Sequence, residues 1–427
     1  MIIAATCLLL ILLGASIPVG IGLGLLALIL NAMYSPLPLT VMLGELTWSS
    51  SNSFILVAVP FYIMLGEIVL RAGIAERMYN ALAQWVSWLP GGLMHSNVAA
   101  CSLFAAISGS SVATAVTIGT VALGEVKKHR YNERLFLGTL AAGGTLGILI
   151  PPSINMVVYG VMTETSIPQL YLAGFIPGFT LAALFSVTVL LACWWRPHWG
   201  GERVRTDWPS RIRSLPDLVP PLIIFLVVIG SIYAGLATAT ESAALGILSA
   251  LALAAWKRRL TWAMLRASLE GTIRTTASVM LIILGAYFLN VVINAIGLTA
   301  VISNYITALN LTSIELLLAI ILFYLILGCF METLSMMVAT VPITAPLMIN
   351  AGFDPVWFGI LVVILMETAM ITPPVGINLF VVQGVRGRGQ LHDVVIGAAP
   401  FVLTMFAMIT LVCVFPQLVM WLPNALR

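Results

Sequence analysis

The sequence predicts an all-α polytopic membrane protein built from two inverted repeats, each holding a re-entrant hairpin and a broken helix. Three observations lead there. The 427-residue chain is 61% hydrophobic and 8% charged, with a mean hydropathy of +1.09, whereas a soluble globular chain carries about 25% charged residues. Two proline pairs, Pro151-Pro152 and Pro373-Pro374, interrupt apolar stretches 222 positions apart. Lysine and arginine gather in a few short loops, the pattern of cytoplasmic connections in a membrane protein and not of a nucleic-acid surface.

A crossing helix takes about 20 apolar residues, so the chain has room for about a dozen. The five cysteines (Cys7, Cys101, Cys193, Cys329, Cys413) and four histidines are dispersed, so no disulfide framework or metal-ligand spacing is indicated. The N-terminus opens directly into apolar sequence with no basic region or small-residue cleavage site, which reads as a retained membrane segment.

Met1 to about Tyr34 is apolar, interrupted at 14–20, and allows either one long kinked helix or two short crossings. Ser35 to Ser53 reads as an extracytoplasmic connection and Phe54 to Leu70 as a crossing. Arg71 to Leu89, with Trp85 and Trp88, reads as an amphipathic interfacial helix with aromatic anchors. The segment at about 91–126 is split by Ser108-Gly109-Ser110-Ser111 into arms too short to cross, hence a re-entrant hairpin. A broken helix at about 134–162 carries Gly143, Gly144, Gly147 and the first proline pair, and Tyr171 to Trp195 is the next crossing. These elements make a first repeat over residues 1–195. An arginine-bearing cytoplasmic linker spans 196–217.

The second repeat, 218–427, opens with crossings at Val219–Ala234 and Ser242–Trp256. Leu260 to Arg274 is expected as an amphipathic arm and Ala277 to Ile296 as a separate crossing. A hairpin follows at about 313–350, then a broken helix at about 355–385 and a last crossing from Val394 to Trp421. A shift of 222 lays Ser111 on Thr333. With one extra residue, Gly376, a shift of 223 lays Asn155 on Asn378 and Pro177 on Pro400. The basic clusters Lys127–Arg130, Arg196–Arg213 and Lys257–Arg259 are expected in the cytoplasm. The second hairpin then opens from the outside, Arg427 lies outside, and the repeats are inverted.

Proline removes a backbone donor and disfavours helix in the residue before it. In hydrocarbon the freed groups have no water to turn to, so such breaks persist only where protein, water or an ion satisfies them. Paired broken helices in matching halves point to the binding site of a secondary transporter. Hydroxyls at Ser108, Ser110 and Ser111 suit a hard cation; their structural alternative is close helix packing through small residues. Glu67, Glu241, Glu332 and Glu367 lie in or beside apolar segments, where acids are costly and mark functional candidates; for Glu67, reaching the interface is the simpler role. Met331, Met336, Met337 and Met366 read as packing residues.

The stretches 107–114, 143–155, 235–244 and 373–378 together resemble the large membrane (M, DctM-like) subunit of the tripartite ATP-independent periplasmic (TRAP) transporters, and the likeness runs from end to end. Ala239 stands where that family usually has proline between the threonines. The resemblance implies a fold of the elevator-type ion-transporter superfamily and sodium-coupled import of an organic acid, a C4-dicarboxylate, sialic acid or similar carboxylate. It implies a bacterial inner (cytoplasmic) membrane location, a small four-helix membrane subunit and a periplasmic substrate-binding protein as partners. Those subunits are expected as separate polypeptides, and no cofactor is expected beyond sodium as coupling ion. One sodium site is expected from Ser108, Ser110 and Ser111 with Gly147, Ile150, Pro152 and Asn155. Its counterpart is expected from Gly328, Glu332 and Thr333 with Thr372, Val375 and Asn378. A self-sufficient sodium–dicarboxylate symporter of the same superfamily and, further off, an ion channel are the competing readings. A membrane enzyme is the weakest, since no nucleophile elbow or clustered histidine is present.

Overall fold

The computed structural model describes residues 1–426 except 16, 203–206 and 310. Arg427, the interruption at residue 16 and part of the linker therefore lie outside the described residues. Every regular element among the described residues is a helix. Five are long and apolar enough to cross a membrane, or up to seven if each of two bent pairs is one span.

The helices form two packing groups. The first joins Val19–Tyr34, Ala58–Arg71, Val219–Tyr233, Ala239–Trp256 and the 34-residue helix Trp262–Ala295. Small residues set the closest approach there. A Cβ on Gly285 would stand 2.5 Å from the Gly20 carbonyl, and one on Gly20 would stand 2.9 Å from the Ile282 nitrogen. Without a hydrophobic drive between helices in lipid, such backbone proximity supplies the van der Waals contact. Ala58–Arg71 bends by 68° into Ile74–Val86, a separate helix within the stretch expected to be interfacial.

The second group holds both hairpins, both broken helices, and the long helices Ile167–Trp195 and Leu391–Val414. The first hairpin is Leu93–Ser108 with Ser111–Lys128, and the second is Ser313–Gly328 with Thr333–Asn350. The first broken helix is Glu133–Thr145, a 3-10 turn Leu146–Ile148, then Ile154–Thr163; the second is Pro355–Ile371 then Ile377–Arg386. Gly138 and Gly397 meet where the first broken helix crosses Leu391–Val414, each leaving no room for a side chain against the other helix's backbone. Pro177 and Pro400 both sit inside helices, joined by a 2.7 Å hydrogen bond between the Thr188 and Thr404 hydroxyls and an edge-on contact of Phe185 with Phe401.

Two expectations need correction. Leu260–Arg274 and Ala277–Ile296 are not separate elements, because no proline interrupts the continuous helix Trp262–Ala295. The final crossing stops at Val414, where Pro416 biases Phe415 away from helix, and Gln417–Ala425 is a helix of its own. The 35–53 connection is largely helical, with Leu39–Met42 and Leu43–Ser51. Of the two forms left open for the N-terminal stretch, the chain takes the one with two helices, Ile2–Gly14 and Val19–Tyr34.

The three basic clusters lie together. The Glu202 N–H donates to the His129 carbonyl at 2.7 Å and Arg130 pairs with Glu202 at 3.4 Å. The Trp85 indole donates to the Arg211 carbonyl, and Arg77, Asp217, Lys257 and Arg259 share one niche. Arg386 and Arg388 join this end through Glu133. From Glu133 the first broken helix runs to the opposite end, where the Tyr159 hydroxyl donates to the Pro355 carbonyl at 2.7 Å, beside the base of the second hairpin. The hairpins thus enter from opposite ends.

Candidate functional site

The tip of the first hairpin is built by glycine and serine. Gly109, at φ +60°, ends one arm in the left-handed conformation, and the Ser110 hydroxyl caps the next helix by accepting from the Ala113 N–H. Glycine adopts that conformation without the Cβ penalty, and the serine satisfies an otherwise orphaned donor. The Ser108 and Thr114 hydroxyls lie 3.1 Å apart, and Thr114 donates to the Ser110 carbonyl.

This tip rests on the break of the first broken helix. A Cβ on Gly109 would stand 2.8 Å from the Pro152 carbonyl, and one on Gly147 would stand 2.5 Å from the Ser110 carbonyl. Ser153 holds the break closed: its hydroxyl donates to the Ile148 carbonyl at 2.6 Å and accepts from the Met156 N–H. Ile150, Pro151, Pro152 and Asn155 are all buried, and the Asn155 Nδ2 has no hydrogen-bond partner among the described residues. The first expected set, Ser108, Ser110, Ser111, Gly147, Ile150, Pro152 and Asn155, is therefore brought together around one tip and one break.

The second set is brought together in part. Gly328, Thr333 and Val375 line one small pocket with Met370 and Gly376, and Gly328 abuts Ala369. Thr372, at the end of Pro355–Ile371, donates to the Thr368 carbonyl at 2.6 Å. Glu332 is occupied locally. It caps its own helix by accepting from the Ser335 N–H at 3.1 Å and from the Thr333 and Ser335 hydroxyls. Asn378 points elsewhere: its Nδ2 donates to the Ala141 carbonyl of the first broken helix at 3.1 Å. Each broken helix sends its second arm to the other hairpin, Ile154–Thr163 against Thr333–Asn350 and Ile377–Arg386 against Ser111–Lys128. Both Pro–Pro peptides are cis.

The two tips meet at a cavity of about 590 Å³. Ser108 to Ala113 and Asn155 line one side, Glu332 to Ser335 another, and Ile63, Gly66, Glu67, Thr275 and Ser278 of the first packing group close it. Met370 lies between the tips and accepts from the Ser111 hydroxyl at 3.1 Å. Among the described residues the lining includes no lysine or arginine. Glu67 faces the cavity with its carboxylate held by Arg71 at 2.9 Å. Glu332 also lines it, whereas Glu241 and Glu367 do not. Glu241 forms a capping box with Thr238, and Glu367 is wholly buried with neither oxygen hydrogen-bonded to protein. Met331, Met336, Met337 and Met366 are buried packing residues, as expected.

Sequence reasoning missed Thr275, Ser278, Ser153 and Met370. Ser153 carried a signal, a serine just before an apolar run, which marks a helix N-cap. Thr275 and Ser278 lie three apart, on one helix face. Nothing in their neighbourhood marks Met370.

Residues 6–418 match the family model described as the tripartite ATP-independent periplasmic transporter, DctM component. The chain belongs to that family. It is 30% identical over 431 residues to the C4-dicarboxylate TRAP transporter large permease protein DctM of Vibrio cholerae serotype O1, covering 96% of this chain and 94% of that protein. It is 32% identical over 414 residues to the sialic acid TRAP transporter large permease protein SiaM of the same organism, covering 97% and 96%. The fold is similar to that of the Alcanivorax borkumensis YdaH transporter, with a TM-score of 0.63 at 14% identity, over 93% of this chain and 96% of that one. As a TRAP large permease, this chain is a polytopic transport protein of a family that does not consist of enzymes. The paired tips are its candidate transport site.

Proposed function

We propose that this permease imports an organic acid, coupled to sodium, by an elevator movement of the hairpin and broken-helix group against the group that includes Trp262–Ala295. The observation that carries the reading is the shared cavity, in which both tips face Glu67, Thr275 and Ser278 of the other group. A substrate held there touches elements of both groups and moves with one of them. In this reading the chain divides into inverted repeats over 1–195 and 218–427, joined by the cytoplasmic linker. It works in the bacterial inner membrane with a small membrane subunit and a periplasmic binding protein, and needs no cofactor. The relatives' names support a carboxylate substrate such as a C4-dicarboxylate or sialic acid.

Sodium binds the first tip through Ser108, Ser110 and Ser111 with Gly147, Ile150, Pro152 and Asn155. A second ion binds Gly328, Thr333, Thr372 and Val375. With no lysine or arginine among the described residues lining the cavity, substrate charge is balanced by these ions and by half-helix N-termini, each contributing roughly 0.3–1 kcal/mol at exposed positions.

The test is uptake into proteoliposomes with the small subunit and binding protein present. Uptake is expected only with a sodium gradient, and full transport driven by protons in sodium-free buffer overturns the coupling. Equal uptake by this chain alone supports the self-sufficient symporter instead. Cysteine labelling that puts any of the three basic clusters in the periplasm sinks the topology.

A further inference from the structure

At the basic end, away from the transport cavity, three elements enclose a niche lined by Ala72, Gly73, Ile74, Arg77, Asp217, Pro220, Lys257 and Arg259. The cations come from two separate parts of the chain and outnumber the acid three to one. Arg77 reaches Asp217 only at 4.0 Å, with half of its side chain exposed. Lys257 lies over the Trp256 ring at 5.6 Å. Arg259 is exposed and has no acidic partner among the described residues. The niche also receives a helix N-terminus. Gly73, at φ +70°, turns the chain into the 13-residue helix Ile74–Val86, and no side chain caps it. Its free N–H groups and dipole favour an anion. Glu76 in the same turn is exposed and does not line the niche.

Apolar surface surrounds this positive charge. Trp256 is 73% and Trp262 77% exposed, with Leu260 between them at 42%. A site for a soluble anion gains nothing from such a rim, whereas rings at headgroup depth are covered by acyl chains. Helix Ile74–Val86 branches at 68° from Ala58–Arg71. Basic niches between helix ends on the cytoplasmic side recognise anionic lipid headgroups.

We propose that the niche formed by Arg77, Lys257, Arg259 and the N-terminus of Ile74–Val86 binds the phosphate of an anionic phospholipid headgroup. The lipid bridges the bend below Glu67 and Leu70, which line the transport cavity, to the loop after Ala239–Trp256. It is a site for the membrane itself, independent of the transported substrate.

The full chain, purified in neutral detergent, is titrated with phosphatidylglycerol or phosphatidylcholine, and retained lipid is counted by native mass spectrometry. The parent is expected to retain phosphatidylglycerol preferentially. Each cation near an anionic headgroup contributes about fivefold, so Arg77→Gln/Lys257→Gln/Arg259→Gln is expected to lose roughly a hundredfold in affinity. Arg266→Gln, an exposed cation paired with Glu270, is expected to change nothing, and Arg77→Lys/Arg259→Lys to retain binding. If the triple variant does not fold, Arg259→Gln alone reads the fivefold step. Equal retention of both lipids by the parent, or unchanged retention by the variants, overturns the proposal. Displacement of phosphatidylglycerol by equimolar inorganic phosphate overturns the lipid source and leaves a soluble-anion site.

Discussion

The two proline breaks occupy corresponding places in the two repeats, yet one is buried and the other open. Pro151 and Pro152 are buried, with Ser153 tying the break to the Ile148 carbonyl, Gly109 packed on the Pro152 carbonyl and the Ser110–Ser111 backbone on Gly147. Pro373 and Pro374 are exposed, Thr372 is half-buried, and the Pro373 carbonyl accepts a long contact of 3.6 Å from the Cys329 thiol. The same local chemistry, two prolines in series, thus yields a pre-built set of oxygens at one tip and a loosely covered set at the other. A proline pair compels a break; what closes over the break is decided by neighbours. Oxygens held in place before an ion arrives spare the ordering cost of binding, so the two tips should respond differently to the same perturbation.

The largest contrast is expected from glycine. In Gly147→Ala the new Cβ meets the Ser110 carbonyl at 2.5 Å and the Ser111 nitrogen at 2.7 Å. These are backbone atoms that cannot step aside, so uptake should fall about a hundredfold or more, with a lower melting temperature in detergent. Gly376→Ala meets first the flexible Leu379 side chain at 2.7 Å, at φ +40°, and should cost only about 1–2 kcal/mol of backbone strain. Equal damage from both substitutions would break the comparison.

Next come the hydroxyls. Ser111→Ala and Thr372→Ala are each expected to raise the sodium concentration for half-maximal uptake. Losing an oxygen ligand to a charged group is worth about 1.5–3 kcal/mol, or about tenfold and upward. The buried Ser111 should show the larger rise. If both variants keep the parent's sodium dependence at equal expression, the ligand assignment is wrong.

Reactivity sharpens the contrast further. In a background with the five native cysteines replaced, Thr372→Cys should react with a small maleimide at least about tenfold faster than Ser153→Cys, since opening a buried site costs free energy. Comparable rates would show that the first break opens as readily as the second.

The smallest effect separates the two asparagines. Asn378→Ala removes the bond to the Ala141 carbonyl and should cost about 1 kcal/mol of stability, leaving sodium dependence alone. Asn155→Ala, whose amide lines the cavity, should instead raise the sodium requirement. A shifted sodium requirement in Asn378→Ala would return that residue to the ion site.

The sequence by itself determined the membrane environment, both hairpins, both breaks and their repetition. Each follows from covalent or short-range properties: apolar runs, prolines without an N–H, glycine at a left-handed turn, serine ahead of a helix. The family resemblance, and not local pattern, put Ser108, Ser111, Gly147 and Pro152 into one candidate group; local pattern marked only the tip and the break separately. Tertiary structure alone decided that Asn378 serves the first broken helix, that Glu332 is spent on capping Thr333–Asn350, and that Thr275, Ser278 and Met370 reach the cavity. It also decided that the first break is covered and the second open. Those outcomes depend on which segments, up to 259 residues apart as for Ser111 and Met370, come to lie against each other. Helix packing through small residues leaves no periodic mark that names the partner.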